Sequence, residues 1–387
     1  MKKIAILGAT GSIGNTLINI IKKDKKKFSI ELLTANKNYK KLIKLVNFFK
    51  VKNIIIKDKK SYLITKELLK NKKINIYNNF DDMEKVFKNK KMDYTMSAIS
   101  GFEGLKPTLN IIKFTKTIAI ANKESIICGW ELIKNNLKKN KTEFIPVDSE
   151  HFSIWSLIKN VKSNNLEKIY LTASGGPFRR YPLDKFKDIK LNKALKHPNW
   201  SMGKKISIDS ATLMNKVFEI IEAKKIFNFK YKQLSVLIHP QSYLHAIIKF
   251  KNGLTKLLIH DTNMSIPIFN SIYPKFENTI KSKHLNINIL NNLQLEKPDK
   301  NRFPVIKIIN KLTEQDSLFD TLIVSANDAL VGRFLKNEIK FIDISSTLLR
   351  IISLNEFKHL KYKKPKSEKQ ISKLANYVSL KVNTMSI

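Results

Sequence analysis

The 387-residue sequence predicts an α/β fold, with a Rossmann-like nucleotide-binding domain, a central α/β domain and a C-terminal helical domain. Three observations predict it. The apolar run at residues 3–7 enters a glycine-rich turn, GATGSIG, and then a helix-periodic stretch, NTLINIIKK; strand, glycine turn and helix open a dinucleotide-binding unit. Apolar strand-like runs then alternate with helix-like stretches up to about residue 147. From residue 305 onward the pattern is mostly helical. The expected division is 1–147, 148–276, a linker at 277–304, and 305–387, since a chain of this length exceeds one ordinary core.

Composition bounds the function. The chain carries 72 Lys plus Arg against 32 Asp plus Glu, a formal charge of +40. The lysines are scattered along the whole chain, whereas a nucleic-acid protein concentrates them. No specific nucleic-acid partner is expected. Cys128 is the sole cysteine, which excludes an internal disulfide and a cysteine metal cluster. No apolar run reaches membrane-spanning length, and the N-terminus enters a strand at once. The expectation is a cytoplasmic protein with no membrane partner.

In the first region, Gly8, Gly11 and Gly14 repeat every third residue. Glycine permits a tight turn and close backbone approach, and a helix N-terminus offers free N–H groups to a pyrophosphate. Gly8, Ala9, Thr10, Gly11, Ser12, Ile13 and Gly14 are therefore cofactor-binding candidates; the bland alternative is an ordinary glycine turn. The strand FSIELLTA is followed by Asn36, Lys37 and Asn38, with no acid for ribose hydroxyls. A lysine at that tip favours NADP(H) over NAD(H). YKKLIKLVNFFK reads as a helix, and VKNIIIKD, DYTMSAIS and TIAIA as strands. The loops SGFEG and NKES follow the last two, and Lys123 directly follows a buried strand, where open sheets place active-site groups.

The central region opens on VDSEH. Read as a strand, it points Asp148 and Glu150 to one side, where two carboxylates need a cation between them. Oxygen donors favour Mg2+ or Mn2+ over zinc. A third carboxylate lies in DSATLMNKVFEIIEA, read as a single helix with Asp209 or Ser210 near its start and with Asn215, Lys216 and Glu219 on one face. LEKIYLTASGGPFRR reads as a strand running into a loop whose Ser174, Gly175 and Gly176 can form a nest of donors. With Ser210, Asn215 and Lys216, Ser174 describes a phosphate pocket. The loop KHPNWSMGKK has the mix expected of a substrate lid, with Trp200 and Met202 to cover a ligand and His197 and Ser201 to hydrogen-bond to it; a plain surface loop is the alternative. Two strand-like segments carrying His239 and His245 flank the hairpin signal Asn252–Gly253. Beyond them, LNINIL reads as a short strand within the linker, and Asn327 and Asp328 as a helix start or domain contact.

These motifs, GATGSIG, ANKES, VDSEH, SGGPFR, HPNWSMG and SIDSATLMNKVFEIIEA, closely resemble those of the 1-deoxy-D-xylulose 5-phosphate reductoisomerase family, in the same order and essentially end to end. The resemblance implies an NADPH-binding domain, a central catalytic domain, a C-terminal helical domain and a homodimer. It implies Mg2+ or Mn2+ held by Asp148, Glu150 and Glu219, with Lys123 and His197 completing the catalytic set. It implies substrate contacts from Ser149, Lys123 and Asn215 at the carbonyl and hydroxyl end, and from Ser174, Ser210, Asn215 and Lys216 at the phosphate. It implies that His197, Trp200 and Met202 belong to a mobile lid, that His245 lies near the same pocket, and that Met264 is a further substrate- or cofactor-side residue. Asn122, Glu124 and Gly203 join the cofactor contacts. The implied reaction rearranges a phosphorylated sugar by retro-aldol cleavage and aldol recombination, then reduces the branched aldehyde with NADPH to 2-C-methyl-D-erythritol 4-phosphate.

Four places depart from the family pattern: Ala9 in the nucleotide turn, Asn36 where glycine is usual, Phe102–Glu103 between Gly101 and Gly104, and His260–Asn263 before Met264. Asn36 is expected to tolerate a left-handed backbone. None of the metal or phosphate ligands is missing, so an active enzyme is expected. The competing readings are another NADPH- and metal-dependent oxidoreductase, a basic nucleic-acid-binding protein, and an inactive relative.

Overall fold

The structure, a computed structural model, describes residues 1–387 except 89, 160, 162–164 and 275–277. It divides into two compact units.

The first unit comprises Met1–Ile126, Glu131–Asp148 and Met264–Ile280. Its strands are β1 (Lys2–Leu7), β2 (Phe28–Ala35), β3 (Asn53–Ile56), β4 (Asn75–Tyr77), β5 (Met92–Ser97), β6 (Thr115–Ile120) and β7 (Glu143–Pro146). Its helices are α1 (Ser12–Lys23), α2 (Tyr39–Phe49), α3 (Lys59–Leu68), α4 (Met83–Phe87), α5 (Leu105–Ile112) and most of α6 (Lys123–Asn140), which turns non-helical at Gly129. The sheet order is β4-β3-β2-β1-β5-β6-β7, parallel at every pairing. Both faces are covered, so the strands read as continuous apolar runs such as Ile4–Leu7, all fully buried. The strand order reverses between β1 and β5, the place where open α/β sheets bind ligands. Met264–Ile280 also packs in this unit, although the sequence division grouped 148–276 together; the boundary expected at 276/277 lies outside the described residues. Ile268, Phe269 and Ile272 join the core around β1 and β2.

The second unit comprises Ile127–Trp130, Ser149–Asn263 and Lys281–Ile387. Its helices are α7 (Ser149–Leu157), α8 (Leu191–Ala194), α9 (Lys204–Ala211) and α10 (Met214–Phe227), then, after α11 (Ser265–Ile272) of the first unit, α12 (Ile287–Asn291), α13 (Leu318–Leu335), α14 (Phe341–Ile351) and α15 (Glu368–Thr384). Its four-stranded sheet, ordered β11-β10-β8-β9, uses β8 (Leu166–Ala173), β9 (Leu234–Ile238), β10 (Leu244–Phe250) and β11 (Thr255–Ile259). The Asn252–Gly253 signal marks the β10–β11 hairpin. α10 packs against α7 and α9, and α13 against α14 and α15.

Several local expectations are corrected. VDSEH is not a strand: β7 stops at Pro146 and α7 starts at Ser149, placing Glu150 in a first helical turn. A carboxylate there is favoured by the helix dipole. DSATLMNKVFEIIEA is two helices, broken where Leu213 takes a left-handed conformation (φ 67°), so neither Asp209 nor Ser210 starts one. LNINIL is helical from Ile287, not a strand. Asn327 and Asp328 lie inside α13, not at its start. The run IWSLIKNV also reads as a helix in sequence, but α7 stops at Leu157, and residue 160 lies outside the described residues.

Candidate active site

In the first unit the turn after β1 is built by backbone contacts. Gly8 N–H donates to Thr34 Oγ1 (2.9 Å), Ala9 N–H to Thr34 O (2.9 Å) and Gly11 N–H to Gly8 O (3.1 Å). Gly8 has φ +81°, and a Cβ there would lie 2.6 Å from Ala98 O. A Cβ on Gly14 would strike the Gly8 carbonyl and sit 2.8 Å from Ala9 Cα, so glycine lets α1 press onto its own entry strand. Gly11 caps α1 without a side chain, leaving first-turn N–H groups of Ser12, Ile13 and Gly14 for an anion. Lys41 Nζ reaches Thr10 O (3.4 Å), adding positive charge beside the turn. Asn36 does not adopt the left-handed region. Asn38 caps α2 by accepting from Lys41 N–H (3.2 Å), and Lys37 O accepts from Ser61 Oγ (3.1 Å).

Asn122 caps α6. Its Oδ1 accepts from Ser125 N–H (2.5 Å or less), and its Nδ2 donates to Ile99 O and to Gly101 O (2.6 Å). Its side chain therefore shapes the Gly101–Gly104 loop, and that commits its amide to the scaffold. Gly104 is required there, since a Cβ would lie 2.6 Å from Asn122 Nδ2. Lys123 and Glu124, both buried, occupy the first turn of α6. Lys123 Nζ lies 2.9 Å from Asp148 Oδ2, so this carboxylate is already paired with an ammonium.

In the second unit α7 and α10 bring together the acids that the sequence singled out. Lys216 Nζ sits 2.6 Å from Glu150 Oε1 and also bonds Glu219 Oε2. Asn215 Nδ2 donates to Glu219 Oε1 (2.5 Å). Ser149 Oγ donates to Glu150 Oε2 (2.5 Å). Burial alone favours the neutral amine of Lys216, but Glu150 and Glu219 outweigh it and push its pKa up. Glu150 and Glu219 offer oxygens within 4.8 Å of each other. All these acidic donors are carboxylates, the chemistry of a hard divalent cation.

The phosphate candidates lie in the same unit. Gly175 and Gly176 both have positive φ, and a Cβ on Gly176 would be 2.9 Å from Ser210 O, so the Ser174 loop lies against the end of α9. Gly176 N–H donates to Ser174 Oγ (3.0 Å). His197 Nδ1 accepts from Asn199 N–H (3.1 Å) and Trp200 N–H (2.9 Å). Its proton is therefore on Nε2, which lies 3.0 Å from Ser174 Oγ. Burial lowers the His197 pKa to about 4. Asn199 Nδ2 donates to Pro240 O (2.6 Å) and Ser242 Oγ (2.9 Å), anchoring the loop. Trp200 makes an edge contact with His245, centroids 6.2 Å apart. His245 is only 2% exposed. Gly203 starts α9 in an extended conformation with open space at its Cβ, and Met202 is half-buried beside it. Met264 packs against the core of the first unit at the start of α11.

Sequence reasoning missed the buried groups behind these elements. His151, fully buried, bonds Glu219 O through Nε2 (2.9 Å), and its Nδ1 lies 3.7 Å from Glu222 Oε2. Lys205 pairs with Asp209 (3.3 Å) and Asp328 (2.8 Å), and Lys225 with Asp316 and Asp320. The signal was charged residues recurring inside otherwise apolar helices.

Together, the second unit sets metal-type oxygen donors on the same helix as anion-type donors, and the first offers a nucleotide turn. Family models match this chain over three segments: 1-deoxy-D-xylulose 5-phosphate reductoisomerase at residues 4–129, its C-terminal domain at 144–227, and the DXP reductoisomerase C-terminal domain at 260–381. The chain is 67% identical over 388 aligned residues, covering all of both chains, to 1-deoxy-D-xylulose 5-phosphate reductoisomerase of Pelagibacter ubique (strain HTCC1062). It is 37% identical to the Clostridium novyi (strain NT) protein of the same name, over 93% of this chain and 94% of that one. Among solved structures it resembles the Zymomonas mobilis reductoisomerase in complex with NADPH, with TM-score 0.88, 31% identity and 98% of each chain covered. It likewise resembles a DOX-P reductoisomerase in complex with NADPH, fosmidomycin and magnesium, with TM-score 0.89, 28% identity, and 99% of this chain and 98% of that one covered.

Proposed function

Because this chain belongs to the 1-deoxy-D-xylulose 5-phosphate reductoisomerase family, we infer that it converts 1-deoxy-D-xylulose 5-phosphate to 2-C-methyl-D-erythritol 4-phosphate, using NADPH and Mg2+, in the non-mevalonate route to isoprenoid precursors. The observation that carries the reading is the Lys216 ammonium held between Glu150 and Glu219, one residue from Asn215, on a helix that begins beside the Ser174–Ser210 segment.

In this reading Asp148, Glu150 and Glu219 hold the cation, with Mn2+ as an alternative to Mg2+. When bound, the cation supplies a Lewis acid for two vicinal substrate oxygens, and NADPH supplies the hydride. Ser174, Ser210, Asn215 and Lys216 grip the phosphate, and Lys216 stays protonated for that work because its carboxylate neighbours raise its pKa. Lys123, charge-paired with Asp148, donates hydrogen bonds to the substrate oxygens, and Ser149 and Asn215 orient the same end. The segment His197–Met202 covers the substrate and excludes water, with Trp200 and Met202 as apolar cover. His197, neutral at physiological pH, links that cover to Ser174 through its Nε2–H. Gly8–Gly14, Asn36–Asn38, Asn122, Glu124 and Gly203 form the cofactor contacts, and His245 and Met264 support the substrate side.

We also infer a cytoplasmic homodimer with a phosphorylated sugar as its partner and no nucleic-acid target. Among the described residues no helix is long and apolar enough to cross a membrane. The test is the loss of reduced-nicotinamide absorbance with NADPH, Mg2+ and 1-deoxy-D-xylulose 5-phosphate, run beside Glu219→Gln. Metal-dependent oxidation, abolished in the variant, is the expected result. No turnover by the folded wild-type protein with either metal overturns the reading.

A further inference from the structure

The lid segment rests on a feature that the reaction itself does not use. In β10 the pairing with β11 slips between Leu244 and Ala246, leaving His245 as an extra residue in the ladder. Such a bulge re-aims its side chain. Here the His245 ring lies on the ring of His260, centroids 3.7 Å apart and planes 18° from parallel, while Trp200 makes an edge contact with His245, planes 69° apart. His260 is fixed in turn. Its Nδ1 bonds Asp261 O (2.7 Å), its backbone N–H donates to Tyr243 O (3.1 Å), and its carbonyl accepts from His245 Nε2 (3.2 Å). Its Nε2 is buried without a hydrogen-bond partner. A ring held at both ends, with one nitrogen contributing no bond, serves through its flat face.

We propose that His260 is a positioning residue for the lid: its ring, stacked on His245, backs the indole of Trp200 and sets the resting position of segment 196–203. Trp200 is attached at only a few points. Asn199 ties the loop to Pro240 and Ser242, and His197 ties it to Ser174. Neither bond orients the indole, and the edge contact with the stacked His245 ring does. Without the His260 ring the His245 ring loses its stacking surface and is held by its bond to the residue 260 carbonyl alone, and Trp200 loses its backing. The cost falls on closure over the substrate, not on the chemistry. The inference rests on the proposed function only in treating 196–203 as the substrate cover.

The test compares His260→Ala and His260→Phe with the wild type. Trp200 emission, isolated by subtracting a Trp200→Phe sample, reports the stack without any turnover. The expected result for His260→Ala is altered Trp200 emission and a KM for the phosphorylated sugar raised about two- to tenfold, with kcat and the KM for NADPH near wild type. His260→Phe, which keeps a flat ring, restores both the emission and the KM. The proposal is overturned if His260→Ala leaves emission and KM unchanged, or if His260→Phe is as impaired as His260→Ala. Should the wild type not turn over, the functional reading fails, while the emission comparison still decides this one.

Discussion

Asn327 donates a 2.7 Å hydrogen bond to Asp209 Oδ1, tying the middle of α13 to α9, with both residues buried. The carboxylate is also approached by Lys205, which reaches across to Asp328. α9 follows segment 196–203 and carries Ser210. Asn327→Ala would leave a buried carboxylate short of a partner, which costs about 1–3 kcal/mol. Urea unfolding should show that loss, and Asn327→Ala should raise the KM for the phosphorylated sugar more than that for NADPH.

The glycines of the nucleotide turn are not equivalent. Gly14→Ala drives a methyl into the Gly8 carbonyl, whereas Gly11 has φ −76° and nothing nearer its Cβ than Gly8 O at 3.4 Å. Gly14→Ala should destabilise by about 1–3 kcal/mol and weaken NADPH binding. Gly11→Ala should stay within about 1 kcal/mol of wild type. Thermal melts and NADPH titration of the two variants check this.

Lys216 is paired with two carboxylates and is proposed to bind phosphate. Lys216→Met leaves Glu150 and Glu219 facing each other without their shared cation. kcat/KM should fall about 30-fold or more, the equivalent of about 2 kcal/mol for breaking a buried charge pair. Steady-state kinetics at saturating Mg2+ measures it.

His197 makes stability depend on pH in a definite direction. Burial lowers its folded-state pKa from 6.5 to about 4. Between those values the unfolded chain binds a proton that the folded chain does not, so the stability it contributes at neutral pH is lost as pH falls from 6.5 toward 4. His197→Gln should reduce the slope of melting temperature against pH in that window. His245 and His260, whose pKa values are also lowered by burial, leave a residual slope.

The Rossmann-like half was legible because its signals are redundant. β1 is apolar and buried from Ile4 to Leu7, glycine follows at once, and α1 has a clear apolar face. The acids of the second unit were also legible, because Asn215, Lys216 and Glu219 fall on one helical face. Their setting was less so. Val147–His151 is too short to show a period, and an acid two residues from another fits a strand or a helix entry equally well. The break at Leu213 was hidden because neither glycine nor proline marks it. Thr212 makes it instead, bonding Ile208 O (3.1 Å) and accepting from Met214 N–H (3.3 Å). Tertiary pairings such as Asn327 with Asp209 carry no local pattern at all.

That break at Leu213 has a thermodynamic consequence. It lets one straight segment, α10, begin beside Ser210 with Asn215 and Lys216 and continue one turn to Glu219. In the proposed site the anion and the cation are therefore read by a single rigid rod, through side chains that already bond one another. Their affinities must then be reciprocal: whatever factor the cation imposes on phosphate binding, phosphate imposes on the cation. A substitution on this face of α10 that alters the coupling alters it by the same factor for both ligands.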